Sequence, residues 1–207
     1  MDERIEVRSL LLPGREQRFA EPALPSLECL AELIAPAISC DLDGRFAIFG
    51  HSMGALLGYE VAQRLAVGGY VPVHLFASGA RAPHVRHRTR YHELPDVEFI
   101  GAVRDLGGMP PELAGYDELL ALMLPTLRAD FRAAEAYRCR PRAPLPCPIT
   151  VFGGMDDPLC TRADLDEWMI HTESSVRVHL LPGGHFFVAT ARDALLHLLE
   201  AALDLTS

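Results

Sequence analysis

The chain has 207 residues, 49% of them apolar, with a formal charge of −9 and a pI near 5.4. That length suits a single domain and that apolar content can fill a core, which excludes a disordered chain. The acidic balance argues against a nucleic-acid binder, which carries a basic face, and no apolar run reaches the roughly 18 residues that span a bilayer.

The charged start, Met1-Asp2-Glu3-Arg4, has no apolar stretch of the secretory kind. All 19 basic residues are Arg, a bias that carries no chemistry by itself. Cys29, Cys40, Cys139, Cys147 and Cys160 are odd in number and have no C-x-x-C spacing. They read as reduced thiols of a cytoplasmic protein rather than a disulfide framework or a zinc site.

In chain order, Ile5 to Leu12 reads as a strand ending at Pro13-Gly14. Ser26 caps a helix whose apolar side carries Leu27, Leu30, Ile34 and Ile38, and Pro36 is expected to bend or shorten it. Phe46 to Phe49 is a buried strand, Ala55 to Ala66 a helix, and Val73 to Ala77 a strand closed by Ser78-Gly79. Ile149 to Phe152 and Val176 to Leu181 complete the strands. Thr161 with Asp164, and Thr190 with Asp193, have the spacing of capping boxes ahead of helices. Strands alternating with helices predict an α/β fold with a mostly parallel sheet. Residues 81–137 break the alternation with three helical segments, Val97 to Leu106, Tyr116 to Leu124 and Thr126 to Tyr137. That stretch reads as a helical lid inserted in one domain spanning 1–207, over the sheet edge where ligands of open α/β sheets bind.

The chemistry centres on Gly50-His51-Ser52-Met53-Gly54, a G-x-S-x-G pattern between a short apolar strand and a helix. Side chains two before and two after the serine would collide in so sharp a turn, hence the glycines. The turn exposes the Ser52 hydroxyl at a helix N-terminus and aims the Met53 N–H at the place where an oxyanion would form. A hydroxyl needs a base. His51 is adjacent, but neighbouring side chains diverge near a strand end. His84, His87 and His92 read as solvated loop, and His171, His179 and His197 as structural residues. His185, in Pro182-Gly183-Gly184-His185-Phe186, follows the last strand on a glycine loop and is expected to be the base. The acid comes from Met155-Asp156-Asp157-Pro158. Pro158 holds Asp157 extended, which favours it over Asp156, whose alternative role is to cap the turn. The order Ser52, Asp157, His185 is the Ser–acid–His order of α/β-hydrolases.

These motifs resemble the type II thioesterases of polyketide and nonribosomal peptide biosynthesis, members of the α/β-hydrolase superfamily. The resemblance spans nearly the whole chain. It includes Leu12-Pro13-Gly14-Arg15-Glu16, the elbow, Leu106-Gly107-Gly108-Met109-Pro110, Leu127-Arg128-Ala129-Asp130-Phe131, Asp157-Pro158 and Gly183-Gly184-His185-Phe186-Phe187. It implies a cytoplasmic hydrolase that edits antibiotic assembly lines. Such an enzyme removes acyl or peptidyl groups from the phosphopantetheine arm of carrier proteins and needs no metal or other cofactor. A generic carboxylesterase or acyltransferase, and an inactive carrier-binding remnant, are the alternatives. Leu119, Leu122, Met123 and Phe131 would line an acyl channel or simply form lid core. Arg128 and Asp130 are expected to pair within the lid.

The family also has an earlier strand, ending in a Pro-x-Ala-Gly-Gly loop that gives the second oxyanion N–H. Twelve residues precede Pro13 here, without that loop. The resemblance therefore implies a sheet short of one inner strand and a site short of one donor, worth on the order of 10²–10³ in rate. A start assigned too late ranks first among the explanations, ahead of a true truncation with weak or no activity and of a gap filled by another chain.

Overall fold

The computed structural model describes residues 4–108 and 117–204. Helix α1 (Leu27–Asp41) precedes strand β1 (Ala47–His51), helix α2 (Met53–Val67) and strand β2 (His74–Ser78). Helices α3 (Asp96–Asp105) and α4 (Asp117–Ala136) follow. The chain then returns as β3 (Ile149–Gly154), α5 (Arg162–Asp166), β4 (Val176–Leu181), α6 (Phe187–Thr190) and α7 (Arg192–Asp204). Short 3-10 turns lie at Glu16–Arg18, Tyr91–Glu93 and Glu167–His171.

The four strands pair in the order β1-β2-β3-β4, all parallel, in a register that aligns Phe49 with Phe76 and Ser78 with Phe152. The parallel order brings every strand's C-terminal end to one edge. Both central strands are buried along their whole length, as two covered faces require. Alternate residues serve opposite layers. Leu75, Ala77, Ile149 and Val151 join the core beneath α1, α2 and Trp168, while Phe76 and Phe152 meet Leu181, Phe187 and Leu195 of the α7 layer. Trp168 is fully buried, and its indole N–H donates to the Ala80 carbonyl at 3.0 Å, pinning the turn after α5 against the exit of β2.

Several expectations are corrected. Ile5 to Leu12 is not a strand. It pairs with no strand among the described residues, and Val7 and Leu10 are 65% and 57% exposed. An apolar pattern alone supplies no hydrogen-bonding neighbour, and Arg8 ties this segment instead to Asp41, at 2.7 Å. Pro36 does not shorten α1, which runs on to Asp41 while packed on α2. Pro125 does not divide α4, so two expected helices are one. Ser26 caps α1 by accepting the Cys29 N–H, and the Thr161–Asp164 capping box forms. The Thr190–Asp193 box does not open α7, because the chain folds at once into the separate turn α6 and Thr190 ends it. Tyr116, Met109 and Pro110 lie outside the described residues.

Burial holds two core imidazoles uncharged. Desolvation, with Arg177 nearby, lowers the pKa of His74 to about 4. Desolvation, with His84 and Arg142, does the same at His171. Above pH 6.5 the folded and unfolded chains carry the same protons at these sites. Between 6.5 and about 4 only the unfolded chain gains them, so stability falls as pH falls through that window. Each ring should cost on the order of 2 kcal/mol by pH 4.5. Thermal melts from pH 7 to 4.5 should show a falling Tm. His74→Phe, which keeps the stack on Phe76 without titrating, should show a shallower slope.

Candidate active site

The site is built at the C-terminal edge of the sheet. β1 ends at His51 and α2 begins at Met53, so one residue makes the whole reversal. Ser52 does so at φ 53°, ψ −120°, a region that non-glycine residues avoid. The strain is held from both sides. A Cβ on Gly50 would lie 2.0 Å from the Gly54 carbonyl oxygen, so strand and helix touch backbone to backbone. The Ser52 N–H donates to the Ser78 carbonyl at 2.7 Å, tying the elbow to β2. Met53 opens α2, where backbone N–H groups have no partner within the helix.

The structure brings the three expected side chains together. His185 Nε2 lies 2.9 Å from Ser52 Oγ, and His185 Nδ1 lies 2.8 Å from Asp157 Oδ2. Both His185 and Asp157 are buried, at 3% and 8% exposure, while Ser52 is only half-buried. Asp157 Oδ1 accepts the Leu159 N–H at 2.8 Å, an Asx-type turn around Pro158 that fixes the carboxylate. Asp156 is exposed, and its backbone N–H donates to the Gly183 carbonyl at 3.0 Å. That bond and Met155 N–H to the Leu181 carbonyl, at 2.9 Å, zip the acid loop to the imidazole loop. A Cβ on Gly154 would sit 2.3 Å from the Gly184 carbonyl oxygen, so the two loops touch as closely as the elbow does. Gly183 takes φ 116°, which a side chain would strain.

His51 diverges from Ser52 as expected, but its ring returns to the site. It stands 5.1 Å from the His185 ring and packs on Phe186 and Phe187, with its Nδ1 3.0 Å from the Ser78 hydroxyl. Gly79, at φ 59°, makes the room, for a Cβ there would fall 2.6 Å from the ring. Burial first, then His185, lowers the His51 pKa to about 4. The base therefore cycles beside a neutral neighbour. The sequence signal that could have found this contact is the glycine directly after the β2 serine.

The remaining expected site residues divide. Phe131 packs edge-on against Phe99, at 5.2 Å, and Tyr91, at 6.0 Å, and so packs among the elements inserted between β2 and β3. Leu119 is exposed and Met123 half-buried. Leu122 lines a cleft of about 410 Å³ together with Gly14, Phe19, Pro22, Pro125 and Thr126, and none of Ser52, Asp157 or His185 borders it. Arg128 and Asp130 do not pair with each other. Asp130 takes Arg15 at 2.9 Å, while Arg128 reaches Asp96 at 2.6 Å and lies over the Phe99 ring. Residues two apart on a helix point to different sides, which separates them.

A parallel sheet with serine at a strand-to-helix elbow, and with acid and imidazole on the loops after β3 and β4, defines the α/β-hydrolase class. The chain belongs to the thioesterase family: the family model described as a thioesterase domain matches residues 1–203. It is 41% identical over 205 residues to a protein of Brevibacillus parabrevis named linear gramicidin dehydrogenase LgrE, covering 97% of this chain and 78% of that one. The solved RedJ thioesterase of the prodiginine biosynthetic pathway in Streptomyces coelicolor superposes with a TM-score of 0.85 at 41% identity, over 93% of this chain and 74% of that one. The type II thioesterase BorB of the borrelidin biosynthetic cluster superposes with a TM-score of 0.86 at 36% identity, over 93% and 79%.

Two substitutions separate the roles of the paired acids. Asp157→Asn should keep the fold and lower kcat on the order of 10⁴-fold, because an amide stabilises the wrong imidazole tautomer. Asp156→Asn should stay within about threefold of the parent, because only its backbone is engaged. Steady-state hydrolysis of a small thioester checks both.

Proposed function

We propose that the protein hydrolyses acyl or peptidyl thioesters carried on the phosphopantetheine arm of a carrier protein, clearing groups from a polyketide or nonribosomal peptide assembly line. The observation that carries this reading is the unbroken line from Ser52 Oγ through His185 to Asp157, at 2.9 and 2.8 Å, in a chain of the thioesterase family. The arm arrives with the substrate, and the chemistry asks for no other cofactor.

The steps follow from the positions of the groups. His185 Nε2 takes the Ser52 proton as Oγ attacks the thioester carbonyl, and the Met53 N–H donates to the developing oxyanion. Asp157 holds the Nδ1 proton and stabilises the imidazolium. Collapse breaks the C–S bond, and the thiolate leaves with the proton from His185. A water, deprotonated by the same nitrogen, then attacks the acyl-serine and returns the free hydroxyl. Thiolates leave readily, so the site need not force out a poor leaving group. Helices α3 and α4, inserted between β2 and β3, serve as the lid over this edge, with Leu119 and Met123 as the acyl-facing candidates.

The test compares an N-acetylcysteamine thioester and a carrier-borne thioester with the matching oxygen ester. Thioester turnover should exceed ester turnover, and a fluorophosphonate should label Ser52 in the parent but not in Ser52→Ala. A clear preference for the oxygen ester would favour a carboxylesterase. Carrier binding with neither turnover nor labelling would mark a non-catalytic binding protein.

A further inference from the structure

The arginines of this acidic chain are segregated. Seven of the 19 fall in two short segments that contain no Asp or Glu: Arg81, Arg86, Arg88 and Arg90 within 81–92, and Arg138, Arg140 and Arg142 within 138–143. The first segment leaves the C-terminal end of β2, next to the strand that ends at the Ser52 elbow. The second follows the end of α4.

The fold brings the two together. α4 packs on the Tyr91–Glu93 turn, where Glu135 accepts the Tyr91 N–H at 2.9 Å. Arg142 and His84 both act on the buried His171, and His84 Nδ1 lies 2.9 Å from His171 Nε2. His87 feels Arg81, Arg138 and His185 at once, so this flank reaches the rim of the site.

Some of these charges are spent within the protein. Arg81 is buried and donates to the Leu159 and Arg86 carbonyls. Arg88 pairs with Asp164, Arg90 with Glu93, and Arg142 with Glu60. Arg86, Arg138 and Arg140 are exposed. Arg138 donates only to the carbonyls of Glu135 and Tyr137, and among the described residues no carboxylate pairs with any of the three. Arg138, which acts on His87 together with His185, and Arg86 next to His87 leave positive charge beside the mouth of a molecule whose net charge is −9.

We propose that this flank, centred on Arg86 and Arg138, is the docking surface for an acidic face of the carrier protein that presents the thioester. The proposal rests on the thioesterase reading above. An arm tethered to a folded partner reaches Ser52 only if that partner docks around the mouth. The rest of this chain is acidic and would repel an acidic partner. A local patch of opposite sign at the mouth overcomes that repulsion and steers the encounter.

The experiment measures kcat/KM for an acyl-loaded holo carrier protein of net negative charge and for the same acyl group on N-acetylcysteamine. It uses the parent, Arg86→Glu, Arg138→Glu, the double variant and Arg86→Lys. Raising salt from 50 to 500 mM should lower the carrier-borne value at least fivefold and leave the small thioester nearly unchanged, since exposed charges are screened. Each reversal should lower the ratio of carrier-borne to small-thioester kcat/KM about fivefold or more, and Arg86→Lys should restore it. A ratio unmoved by salt and by both reversals overturns the proposal. Hydrolysis of neither thioester by the parent would defeat the thioesterase reading alone. Docking is then read from titration of the fluorescently labelled holo carrier: weaker binding by the reversals upholds the flank, and equal binding overturns it.

Discussion

A single backbone conformation governs this molecule. Ser52 is held at positive φ because strand and helix meet backbone to backbone at Gly50; contrary to expectation, a Cβ on Gly54 would meet nothing within 4 Å, so only the first elbow glycine is sterically required. Relaxing that turn would require β1 and α2 to separate, and α2 is among the most deeply buried elements, with Leu56, Tyr59, Val61 and Leu65 all in the core. The strain is thus held in place by hydrophobic burial some distance from the serine. Packing energy is what keeps a hydroxyl exposed at a helix N-terminus.

The parallel order then decides where everything else can be. Each strand delivers its following loop to the same edge, so acid and imidazole need only the right loops after β3 and β4 to meet the serine after β1. The segments outside the sheet are fastened to one another and to the helices by charge and hydrogen bonds. Arg15, in the loop after the N-terminal segment, holds Asp130 of α4, and Thr126 donates to the Gly14 carbonyl at 3.0 Å. Burial raises the Asp130 pKa, and Arg15 offsets that rise only in part. Glu60 of α2 gathers Arg64, Arg142 and the Tyr137 hydroxyl, and these three outweigh its burial and lower its pKa. Such pairs add little in bulk water. Removing one partner of the buried carboxylate would leave an uncompensated charge.

The sequence was most informative where geometry forces residue type. Gly50 at the elbow, Gly183 before His185 and the Pro after Asp157 each mark a backbone path, and those paths carried the serine, imidazole and carboxylate to one point. Strand positions held to within a residue or two for the same reason, since short apolar runs beside Gly and Pro have few alternatives. Ile5 to Leu12 misled because its pattern describes a side-chain face, whereas a strand exists only through a partner's hydrogen bonds. Pro36 did not shorten α1 and Pro125 did not divide α4, because tertiary packing outweighed a local cost. The return of His51 to the base was hidden by its neighbour's motif, since it depends on Ser78 and Gly79, 27 and 28 positions further on. Phe131 could be lid core or channel wall by spacing alone. Ring contacts with Phe99 and Tyr91 turn it toward the other inserted elements.

The zipper between the β3 and β4 loops has a mechanical corollary. Asp157 and His185 ride on backbones bonded to each other, whereas Ser52 sits on β1, with two strands between it and β4. When the sheet flexes, acid and imidazole travel as one rigid jaw, and the compliant joint is the gap between imidazole and hydroxyl. Mild warming or dilute urea would therefore widen that joint and silence turnover while the fluorescence of sealed Trp168 still reports an intact body.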